Sequence, residues 1–191
     1  MKVRQSGMPD EAYWESLFNV PGILDRLRID ETIADAVELG CGYGTFSIPV
    51  ARRITGVLNT FDIDRHMVSR TRDRAGHAGI VNLICTLRDV LDRGFGLPEG
   101  SQDACLLFNI LHFEKPARLL DEARRVLLTG GRLYVIHWRY DPRTPRGPSL
   151  DVRPRPEECI AWAKTAGFQE RPPGILDLPP HHYGLVFVAG P

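Results

Sequence analysis

A short apolar run that ends in a glycine-rich turn constrains the fold of this chain more than any other feature. The run leads from Ala36 into Gly40, Gly42 and Gly44, and a helical pattern follows as far as Ala51. A buried strand, a tight turn and the start of a helix give this pattern. Glycine lets the backbone approach a ligand closely, and the free N–H groups at a helix start point towards that ligand. We therefore expect this turn to bind a nucleotide-like molecule.

The rest of the chain alternates between strand-like and helix-like segments. Strands are predicted at 57–62, 80–85, 103–108 and 132–138, and a last strand is predicted at 184–189 after a hairpin-like ending. Such alternation is typical of a parallel sheet with helices on both faces. The predicted fold class is α/β, with a doubly wound, mostly parallel sheet. Because no linker or repeat divides the sequence, we expect one domain over residues 1–191.

Two segments stand outside this alternation. Residues 1–30 predict a helical cap, in which Asp10 is placed to begin a helix and Pro21 and Gly22 are expected to break it. Residues 139–156 alternate arginine with proline, which favours an extended loop. This loop leaves the fifth strand at the carboxyl edge of the sheet, where ligands bind in open α/β folds. It is either a lid over an anionic substrate or an ordinary solvated loop.

Composition narrows the range of partners and the location. The formal net charge is zero, which does not favour binding to nucleic acid or to an anionic membrane. No apolar run in the sequence approaches the roughly 20 residues that span a bilayer, and the N-terminus lacks the apolar core of a secretory signal. The cysteines, which show no CxxC pairing and suit reduced thiols, are Cys41, Cys85, Cys105 and Cys159. We therefore expect a cytoplasmic protein without a metal site.

Acidic residues follow the second and third predicted strands. Asp62 ends the second strand and lies roughly 20 residues past the glycine turn, the spacing at which a carboxylate binds a ribose diol. Asp64 is placed to cap the next helix. Asp89 is placed to bind an adenine amino group, with the backbone N–H of Val90 beside it, unless it is an ordinary loop acid. These positions favour a nucleoside as part of the ligand.

These segments, in this order, resemble those of class I S-adenosylmethionine-dependent methyltransferases. Residues 38–44 resemble the first motif of that family, and Asp62 matches its second-strand acid. Asp89 matches its adenine-side acid, while residues 107–112 and 119–138 are similar to its fourth-strand motif and to the helix and strand that follow. The resemblance covers nearly the whole chain after the N-terminal cap. It implies a Rossmann-like methyltransferase fold, with a seven-stranded sheet whose last strand is antiparallel and lies beside the fifth.

The resemblance also implies a cofactor, S-adenosyl-L-methionine, and the residues that bind it. These residues are Glu38, Gly40, Cys41, Gly42, Gly44, Asp62, Ile63, Asp89, Val90 and Asn109. The glycines of the first motif would line the methionine end of the cofactor, and Asp62 would hold the ribose hydroxyls. Ile63 would lie against adenine, and Asp89 with Val90 would bind the adenine edge. Asn109 would lie near the sulfonium.

The methyl acceptor is expected to be a small molecule. Asn109 to His112 departs from the Asn/Asp-Pro-Pro-aromatic signature that related enzymes use on nucleic-acid bases and glutamine amides. The sequence shows no separate substrate domain, and nothing in it names the acceptor or the oligomeric state. Because the sulfonium already activates the methyl group, a general base is optional. His112 and His137, both near strand ends, are the candidate catalytic residues if a base is needed; otherwise they are packing or hydrogen-bonding histidines.

Two other functions stay open beside the methyltransferase hypothesis. A cofactor-binding regulatory or partner subunit without its own catalysis would keep the same cofactor residues. A nicotinamide-dependent oxidoreductase shares the strand, turn and helix, but its third glycine would fall where Thr45 stands. That function also leaves Asp89 without a role, so it is the weaker of the two.

Overall fold

The computed structural model describes residues 7–113 and 115–190, and within them eight strands form one mixed sheet. The strands are β1 (Ala36–Leu39), β2 (Leu58–Asp62), β3 (Leu83–Leu87), β4 (Gln102–Phe108), β5 (Leu127–Trp138), β6 (Phe168–Glu170), β7 (Leu176–Leu178) and β8 (His182–Ala189). Their order across the sheet is β3-β2-β1-β4-β5-β8-β6, and β7 pairs with β8 outside this path. Because β1 to β5 pair with one another in parallel, the predicted doubly wound, mostly parallel fold class is confirmed.

The carboxyl-terminal strands close the sheet in the opposite direction. β8 runs antiparallel between β5 and β6, so that Leu133 of β5 lies opposite Phe187 of β8. This is the arrangement that the family resemblance implied, and the three-residue β7 adds an eighth strand to it. β8 starts at His182, two residues before the predicted strand, and thereby carries this histidine into the sheet.

Helices cover both faces of the sheet. Those in the described residues are α1 (Glu11–Ser16), α2 (Val20–Leu27), α3 (Ser47–Ala51), α4 (Arg65–His77), α5 (Val90–Arg93), α6 (Pro116–Val126) and α7 (Pro156–Thr165). Asp64 caps α4, since its carboxylate accepts a hydrogen bond from the backbone N–H of His66 at 2.8 Å. α6 begins at Pro116, where the missing N–H of proline costs no helical hydrogen bond.

The N-terminal helices break earlier than the sequence suggested. Asp10 caps α1 as predicted, because its carboxylate accepts two hydrogen bonds from the first turn. The predicted break at Pro21 and Gly22 is wrong, however, since both residues lie in the first turn of α2. Asn19 caps that helix by accepting a hydrogen bond from the backbone N–H of Gly22 at 3.3 Å, and proline is tolerated in a first turn. Residues 1–6 of the predicted cap lie outside the described residues.

The central strands separate two apolar clusters. Successive side chains of a strand point to opposite faces, so Leu106 and Phe108 of β4 pack with α2 and α3 on one face. Cys105 and Leu107 pack with α6 and α7 on the other face. Because β4 and β5 are buried on both faces, their carboxyl ends are held rigidly where polar residues follow.

A buried arginine organises the loop that connects β5 to α7. Residues 139–155, all of them described, form neither helix nor strand, as their prolines predicted. Arg153 is almost completely buried and donates hydrogen bonds to the carbonyls of Arg139, Asp141 and Pro148 and to the hydroxyl of Thr144. An arginine bound to these oxygens holds the loop together from inside. This side chain is therefore engaged by the loop itself and is not presented to a substrate.

Replacing Arg153 by alanine should loosen this loop. Leaving buried carbonyls without their donor costs about 1–3 kcal/mol, which corresponds to a roughly 5- to 150-fold faster cleavage if the loop opens locally. The measurement is limited proteolysis with proteinase K, followed by mass spectrometry of the fragments. Arg143→Ala is the matched control, because that side chain is 88% exposed and pairs with Asp141. Equal cleavage rates between residues 139 and 156 in the two variants would contradict the role of Arg153.

Candidate functional site

The glycine-rich turn lies between β1 and α3 at the carboxyl edge of the sheet. Gly40, Gly42 and Gly44 have φ values of 86°, 50° and 79°, in a region that side-chain-bearing residues rarely adopt. The backbone N–H of Gly40 donates to the carbonyl of Phe61 at 2.7 Å, which joins the turn to β2. These positive φ values explain why glycine occupies all three positions.

A buried glutamate lies beneath the turn. Glu38 is fully buried near the end of β1, and its Oε2 accepts hydrogen bonds from Ser47 Oγ at 2.5 Å and from Thr60 Oγ1 at 2.9 Å. Burial raises the pKa of Glu38 to about 7, although these two hydrogen bonds oppose the rise. Near neutral pH this group therefore changes charge easily when a cation is placed beside it.

Asp62 connects the turn to the end of β2. Its Oδ2 accepts a hydrogen bond from the backbone N–H of Gly42 at 3.1 Å, and its Oδ1 accepts one from the backbone N–H of Asp64 at 2.9 Å. Burial raises the pKa of this carboxyl, while the two backbone hydrogen bonds lower it. The Sγ of Cys41 lies 3.7 Å from the same Oδ2, and burial raises the pKa of its thiol, so Cys41 is a neutral neighbour.

Two apolar side chains remain exposed beside Asp62. Ile63 is 41% exposed and Leu87, at the end of β3, is 39% exposed. Leu87 lies opposite Asp62 in the parallel register, so both side chains border the same corner of the sheet. Ile63 was expected at the site from the family resemblance. Leu87 was missed, because a sequence does not reveal which apolar residue at a strand end remains uncovered.

Asp89 and Val90 have structural contacts in this structure. The carboxylate of Asp89 accepts a hydrogen bond from the backbone N–H of Asp92 at 3.3 Å and thereby caps α5. The side chain of Val90 is buried against the core. Both residues follow β3, one and two residues beyond Arg88, whose backbone N–H donates to the carbonyl of Asp62. Their role at the adenine edge stays a prediction.

A small cavity of about 30 Å³ lies over the turn. Its lining includes the predicted residues Glu38, Gly40, Cys41, Gly42 and Asn109. Met8 and Trp14 of the N-terminal segment cover it from the other side, and the hydroxyl of Tyr43 donates to the carbonyl of Pro9 at 2.6 Å. The N-terminal segment therefore lies directly over the turn, a placement that the sequence left open.

Two buried oxygens around this cavity test whether a polar ligand fits. Asn109 has a φ of 56°, and its Oδ1 has no hydrogen-bond partner among the described residues. The Oγ1 of Thr45 is likewise buried without a partner in the described part of the chain. Burying a polar group without a hydrogen bond is costly. The residues therefore fit a ligand that brings hydrogen-bond donors or positive charge to this point.

Two histidines meet at the carboxyl ends of β4 and β5. Nδ1 of His112 lies 3.3 Å from Nε2 of His137, and the backbone N–H of Trp138 donates to Nδ1 of His137 at 3.0 Å. Burial lowers the pKa of His112 to about 4 and lowers the pKa of His137 well below its usual value. The structure therefore brings both candidate catalytic residues together as a neutral pair.

A larger cavity of about 460 Å³ opens beside His112. Residues 111–113 form one wall, residues 150–155 of the arginine- and proline-rich loop form another, and α7 contributes Trp162. Two arginines and two acids line it, so its charge is balanced. The sequence did not predict this cavity, because its walls come from three segments that are distant along the chain.

The match to known proteins agrees with this geometry. A family model described as a methyltransferase domain matches residues 37–135, which is just over half of the chain. The chain belongs to this family, and its fold is that of class I S-adenosylmethionine-dependent methyltransferases. The cofactor of this class is S-adenosyl-L-methionine.

Individual proteins resemble this chain in sequence or in fold. Over 164 residues the chain is 32% identical to an uncharacterized 37.1 kDa protein in transposon TN4556 of Streptomyces fradiae. The match covers 79% of this chain and 46% of that protein. The chain therefore spans less than half of this relative's length. A SAM-dependent methyltransferase from Aquifex aeolicus matches with a TM-score of 0.80 at 19% identity, over 93% of each chain. The [4+2]-cyclase SpnF matches with a TM-score of 0.73 at 17% identity, over 99% of this chain and 85% of its own. At these identities the structural likeness shows the fold alone.

The described residues contain neither a membrane-spanning helix nor a cluster of metal ligands. In residues 7–113 and 115–190, none of the helices is long and apolar enough to cross a membrane. The same residues contain no group of three or more histidine, cysteine, aspartate or glutamate side chains that could hold a metal ion.

The buried Glu38 predicts an unusual dependence of stability on pH. Its folded-state pKa of about 7 exceeds its ordinary value of 4.5, so the folded protein holds this proton more tightly than the unfolded chain. Stability should therefore fall as the pH rises from 4.5 through 7, by up to about 3 kcal/mol. Glu38→Gln cannot ionise, and its Oε1 can still accept from Ser47 and Thr60, so this variant should lack that loss.

The measurement is thermal or urea unfolding between pH 4.5 and 8. Glu38→Gln should match the wild type at pH 4.5 and exceed its stability at pH 8. Glu31→Gln, a change at an exposed carboxylate, is the control and should follow the wild-type pH profile. If Glu38→Gln also follows the wild-type profile, Glu38 does not carry the buried proton.

Proposed function

We propose that this protein transfers a methyl group from S-adenosyl-L-methionine to a small-molecule acceptor bound in the larger cavity. One observation carries this proposal: the segment after β4 lines both cavities. Asn109 lines the small cavity at the glycine turn, and residues 111–113 line the large one. This places a cofactor and an acceptor on either side of one short segment, and direct transfer requires the two molecules to be neighbours.

On this proposal the residues around the glycine turn bind the cofactor. When bound, S-adenosyl-L-methionine supplies an electrophilic methyl group on a sulfonium. We assign the ribose hydroxyls to the carboxylate of Asp62 and the adenine face to the exposed Ile63. The unpartnered Oδ1 of Asn109 and the ionisable Glu38 suit the positive charge of the cofactor. Glu38 ionises more readily once that charge is beside it.

Cofactor binding on this proposal requires movement of the N-terminal segment. The small cavity is about 30 Å³ and is covered by Met8 and Trp14. That volume is close to the space of one or two water molecules. Met8 Cε lies 3.3 Å from the position that a Cβ on Gly42 would occupy, so this side chain fills the approach to the turn. Residues 7–9 therefore have to swing away before the cofactor reaches the turn.

The size and the walls of the larger cavity suit a small-molecule acceptor. A volume of about 460 Å³ falls in the range of roughly 300–1,000 Å³ that small-molecule sites have. Phe113, Tyr140 and Trp162 give it aromatic walls, and His112 gives it a polar edge. Such a cavity suits a small aromatic molecule better than a strand of nucleic acid, and the zero net charge agrees.

The main alternative is a subunit that binds the cofactor without catalysis of its own. The [4+2]-cyclase SpnF has the same fold, so the fold does not decide the activity. The larger cavity favours an enzyme, because a subunit that only binds the cofactor has no use for a second cavity beside it. An oxidoreductase that uses NAD lacks its third glycine here, since Thr45 stands at that position.

Asp62→Asn should weaken the binding of S-adenosylhomocysteine. Both carboxylate oxygens accept from backbone N–H groups, so one of these N–H groups would face the amide nitrogen of asparagine. Loss of charge-assisted hydrogen bonds should raise the dissociation constant by about 10- to 150-fold. Isothermal titration calorimetry measures it, and Asp73→Asn on the exposed face of α4 is the control. An unchanged dissociation constant for Asp62→Asn would remove Asp62 from the proposed cofactor site.

Val152→Trp should block the acceptor without affecting the cofactor. Val152 is 43% exposed and lines the larger cavity, so a tryptophan there fills space that the acceptor needs. The assay follows labelled methyl transfer from S-adenosylmethionine to a panel of hydroxylated aromatic compounds, aromatic acids, amines and thiols. The rate should fall at least about 10-fold, the effect of roughly 1.4 kcal/mol of lost binding. The affinity for S-adenosylhomocysteine should stay the same.

Val81→Trp is the matched control for this substitution, because Val81 is 96% exposed before β3. Equal activity of the two variants would place the acceptor outside the larger cavity. Tight binding of S-adenosylhomocysteine with no transfer to any acceptor class would favour the non-catalytic subunit instead.

A further inference from the structure

Three groups at the carboxyl ends of β4 and β5 form one hydrogen-bond chain. The backbone N–H of Trp138 donates to Nδ1 of His137 at 3.0 Å. Nε2 of His137 lies 3.3 Å from Nδ1 of His112. Across each contact an N–H group has to face a lone pair. The positions of the ring protons then follow from the one donor that cannot change, the backbone amide.

The strand pairing explains why this amide is available. The parallel register of β4 with β5 ends at Phe108 opposite Ile136, and the backbone N–H of Asn109 bonds to the carbonyl of Ile136. Trp138 lies two residues beyond Ile136 in β5. Its N–H therefore points past the end of β4, and the imidazole of His137 accepts it.

The backbone amide sets the tautomers of both rings. Because Nδ1 of His137 accepts, the proton of this neutral ring lies on Nε2. That N–H donates to Nδ1 of His112, so the proton of neutral His112 lies on Nε2, at the opposite edge of its ring. Burial keeps both rings neutral, since it lowers the pKa of each. His112 lines the larger cavity. Since its Nδ1 is used by His137, the nitrogen left for a ligand is Nε2, which carries a proton and no lone pair.

We propose that His112 donates a hydrogen bond to the methyl acceptor and that His137 is the residue that positions His112 for this role. This inference rests on the proposed function and names its acceptor class: a planar ring that carries an anionic or carbonyl oxygen. The oxygen accepts from Nε2–H of His112. Any proton that the acceptor loses passes to solvent, because both nitrogens of neutral His112 are already engaged.

A general base at this position would need the opposite arrangement. His112 would need a lone pair on Nε2, and its proton would then lie on Nδ1 and point at His137. His137 would have to accept on Nε2 and carry its own proton on Nδ1. That proton would face the N–H of Trp138 across 3.0 Å. Two donors that face each other in a buried site leave both without an acceptor, which is costly.

The cavity walls favour a flat ring beside this N–H group. The ring of Phe113 stacks on that of His112, with centroids 5.9 Å apart and planes 15° apart. Tyr140 forms another wall, with the guanidinium of Arg155 3.8 Å from its ring centroid, and Trp162 also lines the cavity. Aromatic walls bind flat rings well. Because the charged side chains of the cavity balance, the preference for an oxygen comes from His112.

Nuclear magnetic resonance of the histidine rings tests this inference without any acceptor. The spectrum correlates ring protons with ring nitrogens at pH 7 in protein labelled at histidine. Signals are assigned by their loss in His112→Gln and His137→Gln. Both rings should carry their single proton on Nε2. A proton on Nδ1 of His112, or two protons on that ring, would overturn the inference.

Variants of His137 test its positioning role. The amide nitrogen of His137→Gln lies near the place of Nε2 and can still donate to His112, so His112 should keep its proton on Nε2. His137→Leu removes the donor, and His112 should then show both tautomers. If His112 keeps one tautomer in His137→Leu, His137 does not position it. If that variant does not fold, the wild-type tautomer still tests the inference, and a proton on Nδ1 of His112 in His137→Gln would contradict the positioning role.

The acceptor class is tested with 4-nitrophenol, whose absorbance reports its ionisation. A donor at His112 stabilises the phenolate, so binding should increase the ionised fraction at constant pH. His112→Gln keeps an N–H donor and should keep this effect, whereas His112→Leu should bind the phenolate at least about 10-fold more weakly. A decreased ionised fraction, or no binding at millimolar concentrations, would overturn the acceptor class.

These experiments separate this inference from the proposed function. If the protein transfers no methyl group, the ring tautomers of the wild type stay as the hydrogen-bond chain sets them. A proton on Nδ1 of His112, or two protons on its ring, would overturn the inference whether or not the protein is an active enzyme.

Discussion

A buried carboxylate holds the glycine turn against the second strand, and the geometry of the site depends on this contact. Asp62 accepts hydrogen bonds from the backbone N–H groups of Gly42 and Asp64, and so ties together the turn, the end of β2 and the start of α4. Gly42 adopts a positive φ in this arrangement. The hydroxyl of Thr71 in α4 holds the carbonyl of the same glycine at 2.8 Å. Because both the N–H and the carbonyl of Gly42 are hydrogen-bonded, the turn is held in one conformation.

The segment after β4 connects this turn to the histidine pair and the larger cavity. Asn109 adopts a positive φ, which turns the chain sharply where the strand ends. Its side chain lies at the glycine turn. His112, three residues later, contacts His137 and lines the larger cavity. Because β4 and β5 are buried on both faces, this short segment is held by rigid strands on one side. The distance between the two cavities is therefore set by the sheet.

The sequence predicted those parts of the site that depend on local pattern. The turn, the placement of Asp62 at a strand end and the doubly wound sheet follow from glycine spacing and strand alternation. The break between α1 and α2 was misplaced, because Asn19 caps α2 by accepting from the backbone N–H of Gly22, and Pro21 lies in the first turn, where proline costs no helical hydrogen bond. The contact between His112 and His137 and the cavity wall at Trp162 depend on strand register and on how α7 packs. Neither leaves a pattern in neighbouring residues.

Hydrogen exchange with and without S-adenosylhomocysteine tests the central claim most directly. The account predicts slower exchange in peptides that cover residues 36–47 and 58–65, because the ligand binds the turn and the end of β2 that Asp62 joins. It also predicts faster exchange near residues 7–9, since this segment has to leave the turn. NADH should change none of these rates. No protection of the turn at saturating S-adenosylhomocysteine, or equal protection by NADH, would contradict the account.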